Sequence, residues 1–299
     1  MSVTKWYNNF RSTVNVRTFL IYLAITLIIP AISIAIEYLI SKNPKLRQSL
    51  QIDLQDFHVY QLFTSQFVHA NFDHFLANVT VYLLIAIYGL VLATLINRKR
   101  LYVVLSKIIV VLFLLFGACF ALFNATTTYY VGLSGIDSAL AGLLLLFWLV
   151  YLEQISKQRM RSYYGLVLCC IIALSAGILV RYNILYHAER SITFLAPLAA
   201  MLIVFAFTLG FYWQQFVELK KVLKSISLAN QLITISIVAI FAYFIWNIFP
   251  EQLGNGTRNI SISLHVAGVL IGVLAGYIFL IYLERINYFN GETPVICGK

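Results

Sequence analysis

The stretch from Leu133 to Leu152 reads LSGIDSALAGLLLLFWLVYL, twenty residues with one charged group, Asp137. A helix of about 20 apolar residues is what a hydrocarbon core of roughly 30 Å requires. No proline interrupts the run and no polar alternation marks it as a strand, so it reads as a membrane-spanning helix. Comparable runs lie at about 18–40, 74–96, 101–123, 163–180, 194–213, 231–249 and 262–283, which makes eight candidate spans. Their length and continuity exclude a membrane β-barrel, whose strands are alternations of about ten residues.

Composition leads to the same class. Of 299 residues, 61% are hydrophobic and 11% charged, and the mean hydropathy is +0.87. A soluble domain carries roughly 45–50% apolar and about 25% charged residues. A soluble fold is therefore excluded. Four cysteines, Cys119, Cys169, Cys170 and Cys297, show neither a disulfide framework nor metal-ligand spacing. The expectation is an all-α, polytopic transmembrane helical bundle of about eight spans, with no metal site among its cysteines.

The net charge of +10 would point to nucleic acid on a soluble protein. Here the positions of the basic residues matter more. Fourteen fall on the amino-terminal side of the spans: Lys5, Arg11, Arg17, Arg98, Lys99, Arg100, Lys157, Arg159, Arg161, Lys220, Lys221, Lys224, Arg285 and Lys299. Six fall on the other side, at Lys42, Lys45, Arg47, Arg181, Arg190 and Arg258. Basic residues stay in the cytoplasm, so both termini are expected there, in an integral multi-pass protein of the plasma membrane. Lys107 lies inside a span and is expected to snorkel to its inner end. The lipid bilayer, and not nucleic acid, is the partner that this charge implies.

Residues 1–17 form a polar cytoplasmic segment, residues 18–283 the membrane domain, and residues 284–299 a cytoplasmic tail. A full-length span follows the polar start without a small-residue cleavage site, so the first helix reads as retained. The terminal Val-Ile-Cys-Gly-Lys misplaces its cysteine for prenylation. Asn-x-Ser/Thr triplets begin at Asn78, Asn124, Asn255 and Asn259, but motifs this short arise by chance.

Polar groups within spans are costly and default to function. Three clusters stand out. The run from His69 to Asn78, HANFDHFLAN, enters the second span and sets His74 and Asn78 four apart on one helical face. Gly132-Leu-Ser134-Gly135 enters the fourth span, and His265-Val-Ala-Gly268 with Gly272 enters the eighth. All three spans are even-numbered, so all run inward from the outer face and carry these groups at one depth. Gly268, Gly272 and Gly276 form one small-residue stripe, and Ser134, Ser138 and Gly142 another. Such stripes let membrane helices approach closely. Packed together, they would bring Ser134 towards His265, as a nucleophile needs from its base. His74 and Asn78 would then offer donors to an oxyanion. Each piece alone has a structural reading: glycine and serine as packing residues, an interfacial histidine as a polar anchor. The combination at one depth is the specific signal.

These motifs resemble the rhomboid family of intramembrane serine proteases. The pattern is His-x4-His-x3-Asn, Gly-x-Ser-Gly and His-x2-Gly-x3-Gly, matched here by His69/His74/Asn78, Gly132/Ser134/Gly135 and His265/Gly268/Gly272. The resemblance implies Ser134 as nucleophile and His265 as general base. It implies His74 and Asn78 at the oxyanion and His69 as an organiser of the approach to the second span. It also implies cleavage of membrane-anchored proteins near the outer face by a Ser-His dyad without cofactors. The family core has six helices, so two spans within about 163–213 are additional. Tyr60-Gln61 stand where many members have Trp-Arg, and Ser138 stands where many have a tyrosine that stacks on the histidine.

Asp137, three residues after Ser134, has two readings: an orienter of His265, or a carboxylate in a wet outer vestibule. His58 and His187 are expected to be exposed and uninvolved. The alternatives to a protease are an eight-span transporter that holds a ligand in the polar cluster, and a rhomboid-like pseudoprotease that binds clients without cutting. A metalloprotease lacks its His-Glu-x-x-His spacing here. Transmembrane protein substrates are the expected partners.

Overall fold

The computed structural model describes residues 16–53, 56–69, 71–124, 132–157, 164–186, 192–248 and 262–285. Among these the chain is helical, with no strand. The first expected span is two helices, α1 (Val16–Thr26) and α2 (Ile28–Lys42), broken at Leu27. Pro30 causes the break: it has no N–H to give to the Thr26 carbonyl one turn earlier. Tyr82 supplies the missing donor from a neighbouring helix, its Oη 3.2 Å from that carbonyl. The adjoining Ile25 carbonyl takes a 2.7 Å bond from Lys107 Nζ. Lys107 therefore does not snorkel to the surface as expected, but holds the broken helix from inside the bundle.

A short helix α3 (Lys45–Leu50), a single turn α4 (Gln61–Thr64) and a 3-10 turn (Ser65–Phe67) lead to α5 (Phe72–Leu95). Then follow α6 (Lys99–Asn124), α7 (Ser134–Ser156), α8 (Tyr164–Tyr186), α9 (Ile192–Phe211), α10 (Trp213–Ser225), α11 (Leu228–Asn247) and α12 (Ile262–Arg285). Each of the eight apolar runs seen in the sequence overlaps one of these helices or helix pairs. Over the described residues, Val16–Lys42, Phe72–Leu95, Ser134–Ser156 and Leu228–Asn247 are long and apolar enough to cross a membrane, and the bent pair α9–α10 reaches that standard only when its two helices are taken together. The protein is an integral, multi-pass membrane protein.

The centre of the bundle is α7. Its apolar stretch is 94% buried, against 17% for α11. A helix that is apolar all round belongs in the middle, and α7 is ringed by α12, α5, α6 and α11. Of the two additional spans, α8 packs against α12 and α11, and α9 packs on α8. Arg181 fixes α8 to α11. It stands within α8 and not in a connecting segment: Nε donates to the Trp246 carbonyl at 3.0 Å, and the guanidinium lies 4.0 Å over the Trp246 ring. A cation near the last carbonyls of a helix is favoured by the helix dipole.

The other difference from expectation is α10. The chain bends by 72° after Phe211 and continues as helix through a stretch expected only to connect two spans. Its buried side carries Val222, with Phe216, Leu219 and Leu223 packed on the core, while Lys220, Lys221 and Lys224 are exposed.

Candidate active site

The site grows from the start of α5. Asn71 is the N-cap, with extended backbone, and its Oδ1 accepts the His74 N–H at 2.8 Å. This is the usual way to satisfy one of the orphan N–H groups of a helix start. It sets His74 in the first turn and Asn78 one turn further along the same face. The two side chains meet at 3.1 Å between Asn78 Nδ2 and His74 Nε2. An amide nitrogen only donates, so the contact is a hydrogen bond in the tautomer whose Nε2 accepts and whose proton lies on Nδ1. That Nδ1 and the Asn78 Oδ1 are both buried without a hydrogen-bond partner among the described residues.

Gly132 closes the other side. Its φ of +65° is left-handed backbone, where a side chain is strained. A Cβ there would stand 3.2 Å from Asn78 Nδ2, 3.3 Å from His69 Cδ2 and 3.5 Å from His74 Cε1. Gly132 thus leaves open the space around which these three side chains converge. Its N–H donates to the Ser65 carbonyl at 3.2 Å, and the next N–H, of Leu133, makes a long 3.4 Å bond to His69 Nε2. Two consecutive backbone groups are thereby tied to the segment before α5. His69 itself is wedged edge-on against His74 and Phe75, with ring centroids 5.4 Å apart in both pairs. Burial, and after it the neighbouring His74, holds the His69 imidazole well below its ordinary pKa.

The second half of the site is the crossing of α7 and α12. A methyl on Gly268 would stand 2.9 Å from the Gly135 carbonyl oxygen and 2.8 Å from Ser138 Cβ. One on Gly272 would meet the Ala139 carbonyl, and one on Gly276 would meet Leu143 Cδ1 at 2.9 Å. Residues 135, 139 and 143 thus pair with 268, 272 and 276 in the same order, so the two helices run parallel and backbone to backbone. Gly142 is equally tight against α12, 2.9 Å from Val273 N by the same measure. At 1.5 Å per residue, Ser134 lies about 1.5 Å and His265 about 4.5 Å beyond the Gly135–Gly268 crossing, both towards the helix starts. Both are buried. His74 and His265 are also near enough to interact electrostatically. Ser138 turns its hydroxyl back to the Ser134 carbonyl at 2.7 Å.

Asp137 corrects an expectation. It is 1% exposed, so it does not sit in a wet vestibule. Both its oxygens lack a hydrogen-bond partner among the described residues. It lies about 100° around α7 from Ser138, which faces α12, and interacts electrostatically with Tyr82 of α5.

Two residues outside the motifs organise this end of the bundle. Gln61 is buried, and its Oε1 accepts the N–H groups of His58 at 3.1 Å and Asp53 at 3.4 Å. Its Nε2 donates to the Ser49 carbonyl at 3.3 Å. Ser65, by its backbone, anchors Gly132. Gln61 left a signal in the sequence, since it stands in the place of the usual arginine; Ser65 left none, because its role is played by a carbonyl. His58 is exposed and stacked on Tyr60, as expected of a group outside the site. His187, the loop residues 125–131 and the triplets at Asn255 and Asn259 lie outside the described residues.

Comparison with known proteins adds one match. A family model described as Rhomboid domain matches residues 56–214, more than half of the chain. The matched stretch takes in the His69–Asn78 and Gly132–Gly135 motifs and extends over α8 and α9. It ends before α12, so His265 lies beyond it. No curated protein and no solved structure matches the chain.

Proposed function

The chain belongs to the rhomboid family, and from that premise we propose that it is an active intramembrane serine protease, with Ser134 as nucleophile and His265 as general base. The observation that supports this best is the Gly135–Gly268 crossing. Only backbone and small side chains separate α7 from α12 there, so the turns that carry Ser134 and His265 are buried side by side at one end of the bundle.

The proposed reaction is acyl transfer. A substrate segment reaches the buried end of α7 from the bilayer and unwinds locally, because a helix engages its own carbonyls. Ser134 Oγ attacks the scissile carbonyl carbon while His265 takes the hydroxyl proton. The carbonyl oxygen becomes an oxyanion in the space beside Gly132. His74 Nδ1–H, the Asn78 amide and N–H groups of the first turn of α7, which a helix start leaves without partners of its own, are the donors proposed for it. The tetrahedral adduct then expels the amine, which receives the proton from His265. Water next attacks the acyl-enzyme, His265 takes its proton, and the acid product leaves as that proton returns to Ser134. No step requires a metal or an organic cofactor, and Asp137 has no part in it.

In this proposal both termini are cytoplasmic, as the basic residues suggest, and the site opens towards the outer face. Cleavage of a single-span reporter by purified full chain in liposomes is the test, wild type beside Ser134→Ala and His265→Ala. Loss of cleavage in both variants, each with wild-type melting, supports the dyad. Cleavage retained by Ser134→Ala refutes it, and a wild type that binds the reporter without cutting would identify a pseudoprotease.

A further inference from the structure

The elbow between α9 and α10 lies outside the proposed catalytic machinery, at the end of the bundle opposite Ser134. Above the bend, Phe207, Gly210, Phe211 and Tyr212 line a groove of about 570 Å³. Phe207 is 76% and Phe211 85% exposed, while Gly210 has open space where a Cβ would stand. Below the bend, α10 turns by 72°. A helix nearly perpendicular to a membrane-spanning one lies along the membrane surface, and the composition of α10 suits that place.

The exposed face of α10 is ordered along its length. Trp213 and Val217 occupy its first turns; Lys220, Lys221 and Lys224 follow on the same side. Tryptophan at a membrane boundary marks the headgroup level. The lysines begin about 10 Å further along the axis, and helical side chains lean back towards the helix start, here towards the elbow. Lys221 is engaged by Glu218 at 2.8 Å; Lys220 and Lys224 stand one turn apart beside it. The helix is also held in position. Gln215 Oε1 accepts the N–H groups of Gly165 at 3.1 Å and Leu166 at 3.4 Å, capping the start of α8. An apolar groove and a positive patch are thus presented in fixed relation across one bend.

We propose that this elbow is a binding site for an anionic phospholipid, with an acyl chain in the groove beside Gly210 and the phosphate at Lys220 and Lys224. Charge complementarity selects the ligand, since the exposed face offers lysines at the depth where lipid phosphates lie. The groove accounts for a lipid and not a free anion. The site belongs to the α8–α10 segment, including the two additional spans, and does not depend on the proposed protease activity.

Native mass spectrometry of the delipidated full chain in detergent tests this, with phosphatidylglycerol and phosphatidylcholine of identical acyl chains as probes. One variant is Lys220→Gln/Lys224→Gln, which changes two exposed side chains. The other is Gly210→Leu, which fills the open groove and leaves every charge in place. A lysine near an anionic surface contributes about fivefold in affinity, so the double variant is expected to bind phosphatidylglycerol at least tenfold more weakly, with a smaller loss for phosphatidylcholine, whose choline cation offsets its phosphate. Gly210→Leu is expected to bind both lipids more weakly, and glycerol phosphate is expected not to displace phosphatidylglycerol. Wild-type phosphatidylglycerol binding by either variant overturns the proposal, as does displacement by glycerol phosphate, which would reveal an anion patch without a chain site.

Discussion

Gly272 lies so close to Ala139 that a methyl group on it would stand 2.8 Å from the Ala139 carbonyl carbon. Neither partner can yield, because both are backbone in the middle of parallel helices. Gly272→Val is therefore expected to push α12 off α7, at a cost of about 1–3 kcal/mol typical of overpacking. Its melting temperature in detergent should fall below that of wild type, with reporter cleavage falling in step. Equal melting of Gly272→Val and wild type would show that the close crossing is not required.

Asp137→Asn keeps the shape of a buried side chain that has no hydrogen-bond partner among the described residues. Burial of an unpaired carboxylate is costly. The substitution is expected to leave melting unchanged or raised, and cleavage within about threefold of wild type, the scale of context effects well below the ~10²-fold or greater loss of an acid–base group. A hundredfold fall in kcat with normal melting would instead place the carboxyl in the reaction.

His69 ties stability to pH. Burial first, and then His74, keeps its imidazole well below the ordinary value of 6.5. The folded chain therefore leaves it neutral, whereas the unfolded chain takes up a proton below about pH 6.5. Stability is expected to fall as pH drops through that value, by up to about 1.4 kcal/mol per pH unit from this group, and to be insensitive to it above. Melting of wild type and His69→Gln from pH 7.5 to 5.5 measures the difference. Parallel pH profiles would contradict the assignment.

Arg181→Gln removes both the bond to the Trp246 carbonyl and the cation over its ring. Hydrogen bonds to charged groups contribute about 1.5–3 kcal/mol and cation–π pairs about 0.5–2. A loss of roughly 1–3 kcal/mol is expected, since the two are not additive. Hydrogen exchange should rise at the ends of α8 and α11 and stay unchanged in α7. Unchanged protection at both ends would show that other contacts join the helices.

Much of the bundle was legible in the sequence because lipid allows so few structures. The apolar runs had to be helices, and Gly268, Gly272 and Gly276 announced a close crossing by their spacing alone. The capped start of α5 was legible too, since Asn71, His74 and Asn78 follow a local rule. What stayed hidden was non-local. The burial of Asp137 depends on which neighbour faces that side of α7, a matter of helix rotation that no spacing reports. The bend after Phe211 follows no proline, and its amphipathic continuation reads in sequence like an ordinary charged loop. Ser65 acts through its main chain, which every residue shares.

The Thr26 carbonyl, orphaned by Pro30 and bonded by Tyr82, bears on how the protein is made. In hydrocarbon an unsatisfied backbone group costs several kcal/mol. The helix that carries this carbonyl leaves the ribosome before its donors, Tyr82 and Lys107, which lie on segments synthesised later. Until these arrive, the first helix is a poor lodger in the bilayer. Its biogenesis is therefore bound to theirs: release from the translocon into lipid is favoured as a group of three helices, not one at a time.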